Sequence, residues 1–273
     1  MSQHKEKENR TGILFPIALT VLLCIVIIIP GINNADEVPE TLVDLYTPVS
    51  ANNYVIGQYN PAKHPDFVEL TTLGIPVGNP KQYLRKQAAQ SLKSMLTDFG
   101  NTHPEVKVWV ESAARSYQRQ KSIWVSKWQG NVSVEGKNLA ETIIDPYKRA
   151  KQILKFSAMP GASRHHWGTE IDFNLLRNDY YDKGNGKILY DWLKQNALRY
   201  EFCQPYTAQR SEGHLEERWH WSYRPLARQF QKDWNRLFFN NRSRKMEILD
   251  FSGSESALKL ADTYINHINQ QCK

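Results

Sequence analysis

The stretch SRHHWGTEID, residues 163–172, constrains this chain more than any other. It places two metal-ligand types, His165 and Asp172, with six residues between them and Gly168 on the way. Glycine accepts backbone angles that other residues resist, so the chain can turn there and bring both side chains back to one point. A metal held by imidazole and carboxylate, with one position left for water, needs a third protein ligand. EERWHW, residues 216–221, offers one in His220, and Glu217 stands three residues before it, so a single short segment supplies a ligand and a general base. His166, Glu170, His214 and Glu216 carry similar chemistry nearby, and spacing alone chooses neither among them nor between Glu216 and Glu217. An isolated histidine is ordinarily a core or surface residue. What carries the metal reading is the convergence of two stretches, each polar where a plain strand would be apolar.

The N-terminus imposes a second constraint. Residues 1–12 hold Lys5, Lys7 and Arg10, and residues 13–29, ILFPIALTVLLCIVIII, hold no charge and present no polar face. The pattern predicts a membrane signal anchor over residues 13–30, with residues 1–12 cytoplasmic and the rest of the chain outside the cytoplasm. Asn33, two residues before Ala35, is not the small residue that cleavage there would require, and Leu23 before Cys24 argues against lipidation. Residues 31–78, with Pro39, Pro48, Pro61, Pro65 and Pro76, read as a linker and an irregular lead-in. Residues 79–273 read as one domain. The composition, 41% hydrophobic and 23% charged over 273 residues, is that of an ordinary globular core. The formal charge of +7 is spread along the chain, which points away from nucleic acid and suits an acidic polymer such as cell wall. Eight Trp and thirteen Tyr serve a core or a groove that stacks on sugars and peptides.

Asn79 and Pro80 predict a helix start, Leu84, Ala88, Leu92, Met95 and Phe99 follow at helical spacing, and Gly100 ends it. Residues 106–115 alternate as a strand and deliver Arg115 to its end, where SYQRQ at 116–120 opens a helix. Arg115, Tyr117 and Gln120 therefore gather at one junction. Asp145 and Pro146 cap another helix, and residues 159–163 lead into the proposed site. Residues 178–187 form an exposed turn without the oxygen spacing of a calcium loop. A helix over 188–200, a strand near Phe202, an extended 218–223 and helices from Pro225 and from Ser254 complete the chain. His64 and His103, each beside a proline, belong on surface loops.

Together these residues resemble the VanY-type zinc D-alanyl-D-alanine carboxypeptidases. SRHHWGTEID matches the family's serine, histidine, glycine and aspartate pattern, and ERWHW matches its Glu-x-Trp-His motif. RSYQRQ at 115–120 and WLKQNALRYEF at 192–202 extend the likeness to roughly residues 80–225. Two positions depart: Glu170, where the family often has alanine, and Glu201, where glycine is common. The resemblance implies that His165, Asp172 and His220 hold zinc, that Glu217 is the base, and that Arg115 acts in catalysis. It also implies that Arg115, Ser163 and Gln120 bind substrate. The bulky Trp167 and Tyr117, close to these residues in sequence, are expected to close the far side of the pocket. The implied fold is α+β: a small antiparallel sheet carrying the zinc site, with helices on its other face, as in hedgehog and D-Ala-D-Ala peptidase domains. The implied activity is removal of the terminal D-alanine from peptidoglycan stem peptides. An endopeptidase or an L,D-carboxypeptidase would use the same site, whereas a wall-binding module without turnover has no need of Glu217. Expected partners are stem peptides and, through the N-terminal helix, the membrane, but no nucleic acid. Cys203 and Cys272, the two cysteines beyond the membrane segment, face a compartment that permits disulfides and are expected to pair.

Overall fold

Side chains alternate across a strand, so a stretch that must bury an apolar face and present a polar one reads with a period of two. Residues 170–173 and 220–223 both do, and they pair at the middle of a four-stranded antiparallel sheet. The computed structural model of the protein describes residues 45–239 and 250–273. β1 (Phe67–Glu69) and β2 (Tyr83–Arg85) form a small antiparallel pair of their own. The main sheet contains β3 (Val110–Ser112), β4 (Glu170–Phe173), β5 (Phe202–Cys203) and β6 (His220–Tyr223) in the order β3-β4-β6-β5. The register sets Asp172 opposite His220, Ile171 opposite Trp221 and Glu170 opposite Ser222. Ile171, Phe173 and Trp221 enter one apolar cluster. Asp172, Glu170, His220 and Ser222 consequently share the other face.

Nine α-helices lie wholly among the described residues, besides shorter 3-10 turns: α1 (Ala51–Val55), α2 (Lys86–Thr102), α3 (Tyr117–Trp128), α4 (Leu139–Thr142), α5 (Pro146–Leu154), α6 (Gly184–Asn196), α7 (Arg224–Trp234), α8 (Ser254–Leu258) and α9 (Ala261–Asn266). α2 brings Leu92, Met95 and Phe99, and α6 brings Leu189 and Leu193, to the apolar side of the sheet. A second cluster joins Tyr46, Tyr54 and Val55 of the lead-in to Trp124 of α3, Ile153 and Leu154 of α5, and Phe230 and Trp234 of α7. From residue 45 onward the lead-in is thus built into the core. Capping follows the expected chemistry where a polar side chain precedes the helix: Ser116 caps α3 and Asp145 caps α5, which has proline in its first turn.

The architecture is the expected α+β, but several boundaries differ. No helix starts at Pro80, because Leu84 and Arg85 pair with Val68 and Phe67 as β2, and α2 begins only at Lys86. Gly100 lies inside α2, which continues to Thr102. The strand expected over 106–115 shrinks to β3, where the register shifts between Val110 and Ser112. The single helix expected from Ser254 is two short ones, α8 and α9. His64 is buried and not on a surface loop: its Nε2 donates to the Tyr46 carbonyl and its Nδ1 accepts from the Asp66 amide. The predicted anchor over 13–30 and the cytoplasmic 1–12 lie outside the described residues. Among the described residues, no helix is long and apolar enough to cross a membrane.

Cys203 of β5 and Cys272 form a disulfide, with Cα atoms 5.6 Å apart, and pack with Tyr206 and Ile268 in a small buried cluster. The bridge spans 69 positions and ties the chain end to the strand beside β6. In the chain-entropy view, closing so long a loop restricts the unfolded chain and stabilises the fold by about 4 kcal/mol. We therefore expect Cys203→Ser with Cys272→Ser to lower the unfolding free energy by a few kcal/mol in denaturant titrations. Two titratable thiols in unreduced, unfolded wild-type protein would contradict the pairing.

Candidate metal centre and substrate cavity

His165 stands in a tight 3-10 turn, Arg164–Trp167, that ends at Gly168. Gly168 has φ 69°, and a Cβ there would lie 2.3 Å from the Phe67 ring, so both conformation and space call for glycine. The turn feeds directly into β4, and the reversal sets His165 Nε2 3.3 Å from Asp172 Oδ2. The β4-β6 register then sets His220 Nδ1 2.8 Å from Asp172 Oδ1. Ligand atoms of the three residues all lie within 4.8 Å of one another, and each residue is at most 4% exposed.

Hydrogen bonding decides which nitrogens face the centre. His165 Nδ1 donates to the Ala113 carbonyl at 2.7 Å, leaving Nε2 buried with no hydrogen-bond partner. A buried polar atom without a partner is uncommon and calls for a ligand. Burial, aided by the Arg115 charge, pushes the His165 pKa down and keeps the ring neutral, the form that binds a metal. At Asp172 burial acts upward, but His165 and His220 outweigh it and hold the carboxyl ionised, well below the usual carboxylate range. At His220 burial acts downward, and hydrogen bonds to Asp172 and Glu170 bring the pKa up to about 9. The charge those carboxylates favour on His220 is the charge that a metal cation would supply. Two imidazoles, one carboxylate and an unpartnered nitrogen thus suit a divalent cation of the zinc type.

Glu170 does not join this ligand set. It stands behind His220, its Oε2 2.8 Å from His220 Nε2. Ser222 Oγ donates to it at 2.7 Å, Thr169 Oγ1 donates at 3.0 Å, and Arg164 pairs with it at 3.3 Å, all buried. The arrangement fixes the tautomer and ring plane of His220 so that Nδ1 points at the centre. Arg164 was not singled out from the sequence. The usable signal was the period of two, which places Glu170 on the face of Asp172 and Ser222 on the face of His220.

Glu217 Oε2 lies 3.8 Å from His220 Nδ1, close to the centre but beyond hydrogen-bond distance of it. Burial is the main reason that its pKa rises to about 7, with His220 opposing. Glu216 turns away to Arg218 at 3.3 Å, so the geometry separates the two glutamates. His166 is committed elsewhere: Nδ1 donates to the Arg115 carbonyl and Nε2 accepts from the Gly161 amide. His214 lines the cavity beside the centre, with its Nδ1 unpartnered.

Arg115 follows β3 and reaches Asp172 Oδ2 at 3.2 Å. Its other nitrogen donates to Gln120 Oε1 at 3.0 Å, and Gln120 Nε2 donates to the Ala158 carbonyl. Gln120 is fully buried and braces the guanidinium from behind. Ser163 lines a cavity of about 270 Å³ with Arg115, His165, Asp172, Glu217 and His220. A neighbouring hollow of about 490 Å³, between Asn79 and Arg119, shares Arg115, Ile123, Asp172 and Leu176 with it. Trp167 and Tyr117 line neither. Both are buried in the second core cluster, with Trp167 Nε1 bonded to the Val55 carbonyl and the Tyr117 hydroxyl to Asp250. Phe156, Tyr206 and Trp219 wall the cavity instead.

Comparison with known proteins agrees with the motifs. The VanY family profile, D-alanyl-D-alanine carboxypeptidase, matches residues 81–226, just over half of the chain, and the chain belongs to this family. YodJ of Bacillus subtilis strain 168 is 28% identical over 151 residues, covering 52% of this chain, and the match spans 47% of YodJ. A structure of VanYB in complex with D-alanine-D-alanine is 22% identical, covers 64% of this chain and 86% of its own, and has a TM-score of 0.43. A D,D-pentapeptidase VanY variant in complex with Zn(II) is 23% identical, covers 59% and 82%, and has a TM-score of 0.42.

If Glu170 holds His220 in place, Glu170→Ala should weaken zinc affinity by about 10- to 100-fold in chelator competition, the scale of a lost outer partner. Unchanged affinity would mean that His220 is oriented without it.

Proposed function

We propose that this protein is a zinc carboxypeptidase that removes the terminal D-alanine from peptidoglycan stem peptides. The observation that carries this reading is the convergence of His165, Asp172 and His220 on one buried point, with Glu217 beside them and outside the ligand set. Family membership agrees. These three residues would hold zinc, which would supply a bound water with its pKa lowered towards ~7 and a Lewis acid for the carbonyl.

The chain's own residues do the rest. Glu217, buried and with a pKa near neutrality, takes a proton from the attacking water and passes it to the departing amine. Arg115, braced by Gln120, sets guanidinium donors at Asp172 and stabilises negative charge growing on the carbonyl oxygen. The two hollows meeting at Arg115 and Asp172 suit a peptide laid across the centre. Glu217 lines only the smaller one, so the leaving residue belongs there and the body of the stem peptide in the larger. Peptidoglycan lies outside the cytoplasm, which fits the anchor read over residues 13–30.

Full-length, zinc-loaded protein should release one D-alanine per stem pentapeptide ending in D-alanyl-D-alanine, as read by mass spectrometry. Glu217→Ala should retain zinc and lose turnover by about 100-fold or more, the scale of a general base. Internal fragments from cross-linked muropeptides would support an endopeptidase, and D-alanine released only from tetrapeptides an L,D-carboxypeptidase. If Glu216→Ala abolishes turnover and Glu217→Ala does not, the base is misassigned.

A further inference from the structure

Lys127 lies in the last turn of α3 and lines the smaller cavity with Phe156, Ser157, Ala158 and Ser163. Its ammonium donates to Ser157 Oγ, and among the described residues no carboxylate lies within ion-pair distance of it. The other two cations on this cavity are compensated, Arg115 by Asp172 at 3.2 Å and Arg164 by Glu170 at 3.3 Å. Lys127 is half-buried, and that burial first, then the nearby Arg115, disfavours its charge, while Glu217 favours it. An ammonium has three donors. A half-buried cation whose protein hydrogen bond goes to a neutral hydroxyl, on the wall of a cavity that already contains the reaction centre, can receive an anion.

We propose that Lys127, with the Ser157 hydroxyl beside it, receives the free carboxylate of the departing residue and so makes the enzyme select chain ends. The assignment rests on the carboxypeptidase reading and names the group by which that reading is enforced. Two features place the carboxylate there. Glu217, which protonates the leaving amine, lines this cavity and not the neighbouring one, and in an amino acid the amine and the carboxylate share one carbon. Ser157 accepts from Lys127 and so keeps its own hydroxyl proton available, giving the carboxylate an ammonium and a hydroxyl as adjacent donors. Arg115 is thereby left to the scissile carbonyl, where its contact with Asp172 already holds it. An endopeptidase would run its chain onward past Lys127 and present no charge to it.

The test compares full-length, zinc-loaded wild type, Lys127→Met and Lys127→Arg on a pentapeptide ending in D-alanyl-D-alanine and on the same peptide with its terminus amidated. Lys127→Met should lower kcat/KM on the free acid by about 10- to 100-fold, mainly through KM, as expected for a lost charge-assisted hydrogen bond. Its rate on the amide should fall much less, so that the preference for the acid shrinks, and Lys127→Arg should restore part of that preference. Equal zinc content and equal melting temperature show that the variant is folded, and Lys127→Gln replaces it if Met disturbs α3. A Lys127→Met enzyme that prefers acid to amide by the wild-type factor overturns the assignment of Lys127, as does one that loses both activities equally. A wild type that releases neither D-alanine from the acid nor D-alaninamide from the amide overturns the carboxypeptidase reading itself.

Discussion

The pairing of Asp172 with His220 across β4 and β6 is the contact on which the rest of the site depends. Because side chains in a strand alternate, one register fixes four residues at once: Asp172 and His220 at the centre, Glu170 and Ser222 one step along. A slip by a single position would turn Ile171 and Trp221 into the cavity and both carboxylates into the apolar cluster beneath. Burial of that cluster against α2 and α6 therefore holds the chemical face in register. These two helices act on the centre through the sheet and line no part of the cavity, whereas α3 reaches the cavity through Lys127 and braces Arg115 through Gln120.

The same face concentrates charge where water is scarce, and its stability depends on local compensation. Arg164 neutralises Glu170, Arg115 neutralises part of Asp172, and His220 bridges both carboxylates. Removing one partner from such a group strands the others, which costs more than the pair itself contributes. The arrangement is accordingly a poor candidate for added stability and a good one for fixing geometry. Lys127 is the exception, a cation on the cavity without a carboxylate of its own among the described residues, and that exception is what marks it as a place for substrate.

Much of this was legible in the sequence because the chemistry is local there. Ligands spaced around Gly168, and Glu217 three residues before His220, are short-range patterns that a fold can hardly disguise. Helix starts with a polar cap, at Ser116 and Asp145, were equally readable. What was not readable depended on distant partners. Asn79 and Pro80 carry a sound helix-start signal, yet Leu84 and Arg85 are claimed by pairing with β1. Trp167 and Tyr117 flank motif residues in sequence, but one turn of backbone sends each into the core. Glu170 looked like a spare ligand until the register showed it behind His220. Glu201, an unexpected residue at a position that favours glycine, sits at φ 59° and pairs with Arg224, a contact invisible without the fold.

A single cation held by His165, Asp172 and His220 is what the whole site is built to bind. X-ray absorption at the zinc edge on full-length, zinc-loaded protein measures that directly. The expected result is one zinc per chain with two imidazole nitrogens and oxygen ligands, all at about 2.0–2.2 Å, and one imidazole fewer in His165→Ala. A first shell with no imidazole, or an unchanged shell in His165→Ala, would contradict it.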